Sequence, residues 1–235
     1  MKTDPVGARP AGRVGGPRGT LWWSLAFSGA SVVLHAPGFV VRLFNSDEAS
    51  LASIAMAINR GATLYHTTAD RKPPIVPYVY ALVFRVTGSV DIRLVRVVAA
   101  VAVGLCAALL AVEARRRYGS PGAGLGCGVL FLLAVTAFFP DDSQAAGFEV
   151  FMLLPMTAAV VLAARRRYLG AGLALAAACL CKQTAVTTAV PVLWWAWRRG
   201  GPKAVGRTAA GFVAPIAAAA ALFGPGPFLL WTVSG

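Results

Sequence analysis

Asp47 and Glu48 stand side by side in Phe44-Asn-Ser-Asp-Glu-Ala-Ser-Leu-Ala-Ser-Ile-Ala-Met-Ala-Ile-Asn-Arg60, and Asp70-Arg-Lys-Pro-Pro74 follows soon after. A carboxylate can take the proton of a hydroxyl, and paired cations at the head of an apolar segment can hold a phosphate. A second acidic group, Asp141, Asp142 and Glu149, lies within Pro140-Asp-Asp-Ser-Gln-Ala-Ala-Gly-Phe-Glu149, and Lys182 interrupts a later apolar stretch. In a chain that is 57% hydrophobic and 13% charged, these few groups act together only if the intervening segments carry them to one place.

Those segments read as membrane helices. A mean hydropathy of +0.68, six Trp, twelve Phe and apolar runs of roughly 14 to 21 residues exceed what a soluble core of this length requires. The expected fold is all-α, a polytopic transmembrane bundle of about seven spans with interfacial amphipathic helices in its first outer loop. The spans are Leu21 to Val41, Val97 to Val112, Gly122 to Phe139, Phe148 to Ala164, Tyr168 to Cys181, Gln183 to Trp197 and Thr208 to Phe223. The first is too long for a signal-peptide core, and Phe39-Val-Val-Arg-Leu43 is no small-residue cleavage site, so it reads as a retained span. Residues 1–20 read as a disordered basic cytoplasmic tail and residues 21–235 as a single transmembrane domain. Cys106, Cys127, Cys179 and Cys181 all fall in apolar runs, with neither disulfide nor zinc spacing, and read as packing residues.

Charge supplies the orientation. The tail, Arg115-Arg-Arg117, Arg165-Arg-Arg167 and the group Arg198, Arg199, Lys203 and Arg207 hold fourteen of the 22 basic residues, with Asp4 and Glu113 as their acids. The alternate loops hold seven basic and seven acidic residues. Short basic loops mark the cytoplasmic side, so the N-terminus is expected in the cytoplasm of a plasma (inner) membrane protein, and the net charge of +13 needs no nucleic-acid partner. The runs flanking Lys182 are short for a crossing, at about 21 Å each. One long span with a buried lysine would put Arg198 and Arg199 outside, so a tight hairpin with Lys182 near the outer face is the better reading.

The acidic and basic groups then share the outer side. Ser46 is the expected N-cap of a helix whose first turn holds Asp47 and Glu48. Leu51, Ile54, Ala55 and Ile58 follow on one side, an apolar face suited to lying in the membrane interface. The positive end of the helix dipole favours ionised carboxylates there, which suits a base and equally suits plain capping. Pro73 and Pro74 open a second interfacial or re-entrant helix behind Arg71 and Lys72, cations for a specific lipid phosphate or an ordinary headgroup. Asp141, Asp142 and Glu149 read as a solvated turn or as the second wall of an acidic cleft. Repulsion across such a cleft would be relieved by cations, a divalent metal or a polar substrate.

The order Asp47-Glu48-Ala49, amphipathic helix, Gly61-Ala-Thr-Leu-Tyr65, then Lys72-Pro-Pro74 before an aromatic apolar helix resembles the first outer loop of the polyprenyl-phosphate-dependent glycosyltransferases. This is the C-type integral-membrane superfamily that includes protein O-mannosyltransferases and lipid A aminoarabinose transferases. Ala146-Gly-Phe-Glu149 resembles its second-loop acidic motif, and Cys181-Lys182-Gln183 its short hairpin with a lysine. The resemblance implies a catalytic role for Asp47 with Glu48 as its acidic neighbour, phosphate contact by Lys72 and Arg71, and support from Lys182. It also implies a polyprenyl-phosphate sugar as donor, with a protein, lipid or glycan as acceptor. The chain departs from many relatives at Ser50, where they carry arginine. Relatives are commonly longer, so the sequence reads as an N-terminal half.

The expected reaction is a single inverting displacement on the outer face. A transporter is the alternative from another class, and would need Lys182 near mid-membrane; an inactive membrane scaffold is a third.

Overall fold

The computed structural model describes residues 17–41, 43–68, 70–138 and 140–234. Most of the expected tail, and Arg42, lie outside the described residues. In chain order the helices are α1 (Pro17–Leu34), α2 (Ser46–Asn59), α3 (Ile75–Thr87), α4 (Ile92–Tyr118), α5 (Pro121–Phe138), α6 (Pro140–Gln144), α7 (Phe148–Ala164), α8 (Tyr168–Cys181), α9 (Ala189–Phe223) and α10 (Pro225–Leu229). Short 3-10 turns at Ala36–Phe39 and Gln183–Thr188 and a π-helical turn at Leu230–Ser234 complete them. Among the described residues the sole β-type pairing is an isolated bridge between Leu64 and Thr68, so the all-α expectation holds.

The long helix α4 organises the bundle. The Asp91 side chain accepts the Arg93 N–H to start it, and Arg115, Arg116 and Arg117 occupy its last turn, where the helix dipole favours cations. Small residues let its neighbours approach closely. At Gly104 an added Cβ would lie 2.4 Å from Ser28 Cα on α1. The same device joins α8 to α9, where a Cβ on Gly172 would meet the Thr208 carbonyl and one on Gly211 the Leu169 carbonyl at 2.3 Å.

Among the described residues, three elements are long and apolar enough to cross a membrane: Ile92–Tyr118, Pro121–Phe138 and Gln183–Phe223. The other apolar helices, Gly19–Leu34 within α1, Ile75–Thr87, Phe148–Ala164 and Tyr168–Cys181, are shorter, so by length and composition three elements stand against the seven crossings read from the sequence. The third element is bent. Gly201 has φ 64° and ψ −159°, outside the helical region, and divides α9 into arms 189–200 and 202–223. Val192 from the first arm and Phe212 and Ile216 from the second pack with the same α8 residues, including Ala171 and Leu175. Tyr168, at the start of α8, packs against both Ala196 and Ala204. The arms therefore double back on one another at Gly201. On α5, Leu125, Leu130 and Leu133 are each at least half exposed, an apolar surface suited to lipid.

Helix α2 departs from expectation in what covers it. Leu51, Ala52 and Ala55 join Val76, Tyr80 and Phe84 of α3, Val95 and Val103 of α4 and Phe148 of α7 in one buried cluster. The apolar face expected to dip into the interface is instead buried in protein. On α3 the opposite side, Tyr78, Leu82 and Val86 at four-residue spacing, stays exposed.

Candidate active site

The start of α2 is set one residue earlier than expected. Asn45 has extended backbone (φ −146°, ψ 169°), and its side-chain oxygen accepts the Glu48 N–H at 3.1 Å. Asn caps as well as Ser, and because successive helical residues point about 100° apart the neighbouring carboxylates leave in different directions.

Glu48 turns inward and is fully buried. Arg96 donates to both of its oxygens, from Nε at 2.8 Å and from a terminal nitrogen at 2.5 Å. The Ala146 N–H donates at 2.8 Å and the Phe44 N–H at 3.1 Å. Burial pushes this carboxyl upward, but Arg96 and the two backbone donors outweigh it and hold the group below the usual range. Arg96 also donates to the Gly38 and Val41 carbonyls at 2.5 Å each. One buried ion pair thus fastens the chain after α1, the start of α2, the first turn of α4 and the entry to α7.

Asp47 turns outward. Its Oδ2 meets Lys72 Nζ at 2.5 Å, and that ammonium lies 4.2 Å from the centroid of the Phe148 ring. Asp47, Ser50, Asp70, Arg71, Lys72 and Phe148 line a cavity of 380 Å³. Ser50, the position where many relatives carry arginine, is one of its walls. The loop carrying Lys72 is pinned from several sides. The Tyr65 hydroxyl donates to the Lys72 carbonyl at 2.8 Å, and the Tyr65 ring packs edge-on against Phe223 and Phe228. His66 Nε2 bonds the Phe223 carbonyl at 2.9 Å.

Lys182 caps the end of α8 and pairs with Glu149 of α7. Next to it, the Gln183 side chain donates to the Arg71 carbonyl at 3.4 Å, which sets this second pair beside the first loop. Lys182 thus lies at a helix end, between α8 and the 3-10 turn Gln183–Thr188. Asp141 and Asp142 sit on α6 and are exposed, and neither lines the cavity. Among the described residues no three His, Cys, Asp or Glu side chains gather as a metal site. Three acids at this end are each met by a cation: Asp47 by Lys72, Glu48 by Arg96, Glu149 by Lys182.

Two residues here carry no assignment from sequence. Asp70 lines the cavity, and burial lifts its carboxyl above the usual value, with Asp47 adding to the rise and Lys72 opposing it. Its place two residues before Lys72 was the available signal. Arg96 pairs with Glu48 from 48 residues away. An arginine in the first turn of an apolar helix is costly without a partner, and that cost was its signal.

Residues 71–231 match the sequence model of the dolichyl-phosphate-mannose-protein mannosyltransferase family, more than half of the chain. The chain belongs to this family. As a member of the mannosyltransferase family with helices long and apolar enough to span, it is an integral membrane protein of the glycosyltransferase class. The match includes Lys72, Glu149 and Lys182 and begins after Asp47 and Glu48, which geometry alone ties to it. Searches among curated proteins and among solved structures returned no match.

Proposed function

We propose that the chain transfers a sugar from a polyprenyl-phosphate donor to an acceptor hydroxyl, with inversion, in the cavity between Asp47 and Lys72. The observation that carries this reading is the Asp47–Lys72 pair at 2.5 Å, bordering an open 380 Å³ cavity in a chain of a mannosyltransferase family. Asp47 accepts the acceptor's proton as the new bond forms at the anomeric carbon. The bond from that carbon to the phosphate oxygen breaks, and its electron pair leaves with the phosphate. Lys72 and Arg71 stabilise the charge that develops there. The Lys72 ammonium has three N–H groups, so the bond to Asp47 leaves donors for phosphate oxygens. Lys182, paired with Glu149 beside Arg71, is the supporting cation.

Glu48 is a positioning residue in this scheme: buried and held by Arg96, it fixes the helix start from which Asp47 projects. Asp141 and Asp142 have no role in it. The charge asymmetry supports an outer-face site on the plasma membrane with the N-terminus in the cytoplasm. The donor, membrane lipids and a protein, lipid or glycan acceptor are the partners this chemistry needs, and no metal enters the scheme.

The test is Asp47→Asn, assayed with radiolabelled polyprenyl-phosphate sugars in lipid extracts. Loss of a general base should cut turnover by about 10² to 10⁴ while membrane insertion persists. Retained turnover would remove Asp47 from the reaction.

A further inference from the structure

A cavity of 640 Å³ opens between the two arms of α9, lined by Val190, Pro191, Leu193, Trp194 and Trp197 from the first and Val205 from the second. Trp194 and Trp197 are each 60% exposed. A wholly apolar groove on a membrane protein suits hydrocarbon, and many such surfaces meet only bulk lipid. This one differs in the charge beside the turn that joins its two arms. The arms join at Gly201, with Arg198 and Arg199 just before it and Lys203 and Arg207 just after, and no Asp or Glu occurs from Val150 to the last residue.

The two arginines before the turn have different duties. Arg199 serves the protein: it donates to the Ala164 carbonyl at 3.0 Å and lies 4.0 Å from the Trp195 centroid. Arg198 stands 5.4 Å over the ring of Trp194, itself a wall of the groove. Lys203 is exposed on the other side of the turn. Glu113, at this end of the bundle, is already shared by Arg116, Arg117 and Arg165. An apolar trough with Arg198 over one wall and Lys203 beside the turn that joins its arms complements a lipid whose headgroup is a net anion. A zwitterionic headgroup would bring its own ammonium against these cations.

We propose that this groove binds an anionic phospholipid, its acyl chain against Trp194 and Trp197 and its phosphate at Arg198 and Lys203. None of these residues belongs to the transfer site, so this inference stands or falls separately from it.

The full chain in a neutral maltoside detergent is titrated with acyl-brominated phosphatidylglycerol or phosphatidylcholine, reading quenching of tryptophan fluorescence. Phosphatidylglycerol should reach half-quenching at a level at least about tenfold below phosphatidylcholine. The double variant Arg198→Gln/Lys203→Gln should raise the phosphatidylglycerol half-point about 25-fold, roughly fivefold per charge, and leave the phosphatidylcholine curve in place. Trp194→Phe/Trp197→Phe should remove the phosphatidylglycerol-selective part of the quenching and leave that of Trp22, which is 71% exposed on α1. Equal half-points for the two lipids, or an unmoved half-point in the charge variant, would overturn the site. So would protection from both lipids together with a dimer in light scattering, because the groove would then be covered by a second copy. If the double variant misfolds by circular dichroism, Lys203→Gln alone decides, with about a fivefold shift expected and no shift counting against the proposal.

Discussion

The two ends of the bundle both rely on ion pairs, and they choose different cations. At one end Glu113 is shared by Arg116, Arg117 and Arg165 at 2.9 to 3.2 Å, and both Arg117 and Arg199 lie over the ring of Trp195. At the other, Asp47 and Glu149 each meet a single lysine, while arginines take the buried Glu48 and, at the cap of α4, the surface Asp91. A guanidinium is a rigid fork that fixes what it binds; an ammonium is a compact charge whose donors rotate toward whatever oxygen arrives. Arginine therefore marks the contacts that hold the fold, and lysine beside a cavity marks those free to exchange partners. Asp47 and Glu48, adjacent in sequence, fall on opposite sides of that division.

The largest effect should come from breaking the buried pair. Arg96→Leu leaves the Glu48 carboxylate enclosed without its cation, a loss of about 3–5 kcal/mol. It should appear as poor recovery of monodisperse protein and a lowered unfolding temperature in detergent. Asp47→Asn in the same measurement should move stability by less than about 1 kcal/mol, since its pair with Lys72 is partly exposed. Equal thermal losses in the two variants would erase the distinction between a structural acid and an exchangeable one.

Much of this site was legible in the residues, and what was missed has a common cause. The acidic start of α2, the Pro-Pro entry to α3 and the position of Lys182 at a helix end follow from capping, proline geometry and the apolar runs that stop on either side of the lysine. The spacing of Leu51, Ile54, Ala55 and Ile58 shows an apolar face but not what covers it, because lipid and protein ask for the same periodicity. The face is covered by α3 and α4. The Glu48–Arg96 pair joins residues far apart in sequence, where no local rule reaches. Of the seven apolar runs read as crossings, length alone supports three elements among the described residues, with α7 and α8 shorter and the final two runs on the two arms of the bent α9.

A medium effect sharpens the lysine half of the comparison. If Lys72 holds the donor phosphate, Lys72→Ala removes one charge-assisted contact of about 1.5–3 kcal/mol, weakening donor binding roughly ten- to a hundredfold. Competition by polyprenyl phosphate reads this directly, and unchanged affinity would take Lys72 out of the donor site. Asp70 offers a pH-dependent version. Its carboxyl lies above its ordinary value of 3.8 in the folded chain, so the folded state binds that proton more tightly than the unfolded state. The associated stability is present below 3.8 and is lost as pH rises through the raised value. Asp70→Asn should therefore be more stable than the parent at neutral pH, with the two unfolding curves converging in acid. A variant less stable at neutral pH and parallel to the parent at every pH would contradict the burial assigned to Asp70.

The smallest effect is expected at the arginine end. Arg116 is 39% exposed, and after Arg116→Gln the Glu113 carboxylate still receives Arg117 and Arg165. An exposed member of a redundant cluster contributes less than about 1 kcal/mol, so the unfolding temperature should barely move and added salt should matter little. Arg165 bridges from the loop after α7 back to α4, so combining Arg165→Gln with Arg116→Gln leaves Glu113 one partner and should cost more than the two single changes together. Additive losses would mean that the three arginines act independently. The arginine end would then be a set of surface pairs, and its contrast with the single-lysine contacts at the cavity would lie in number alone.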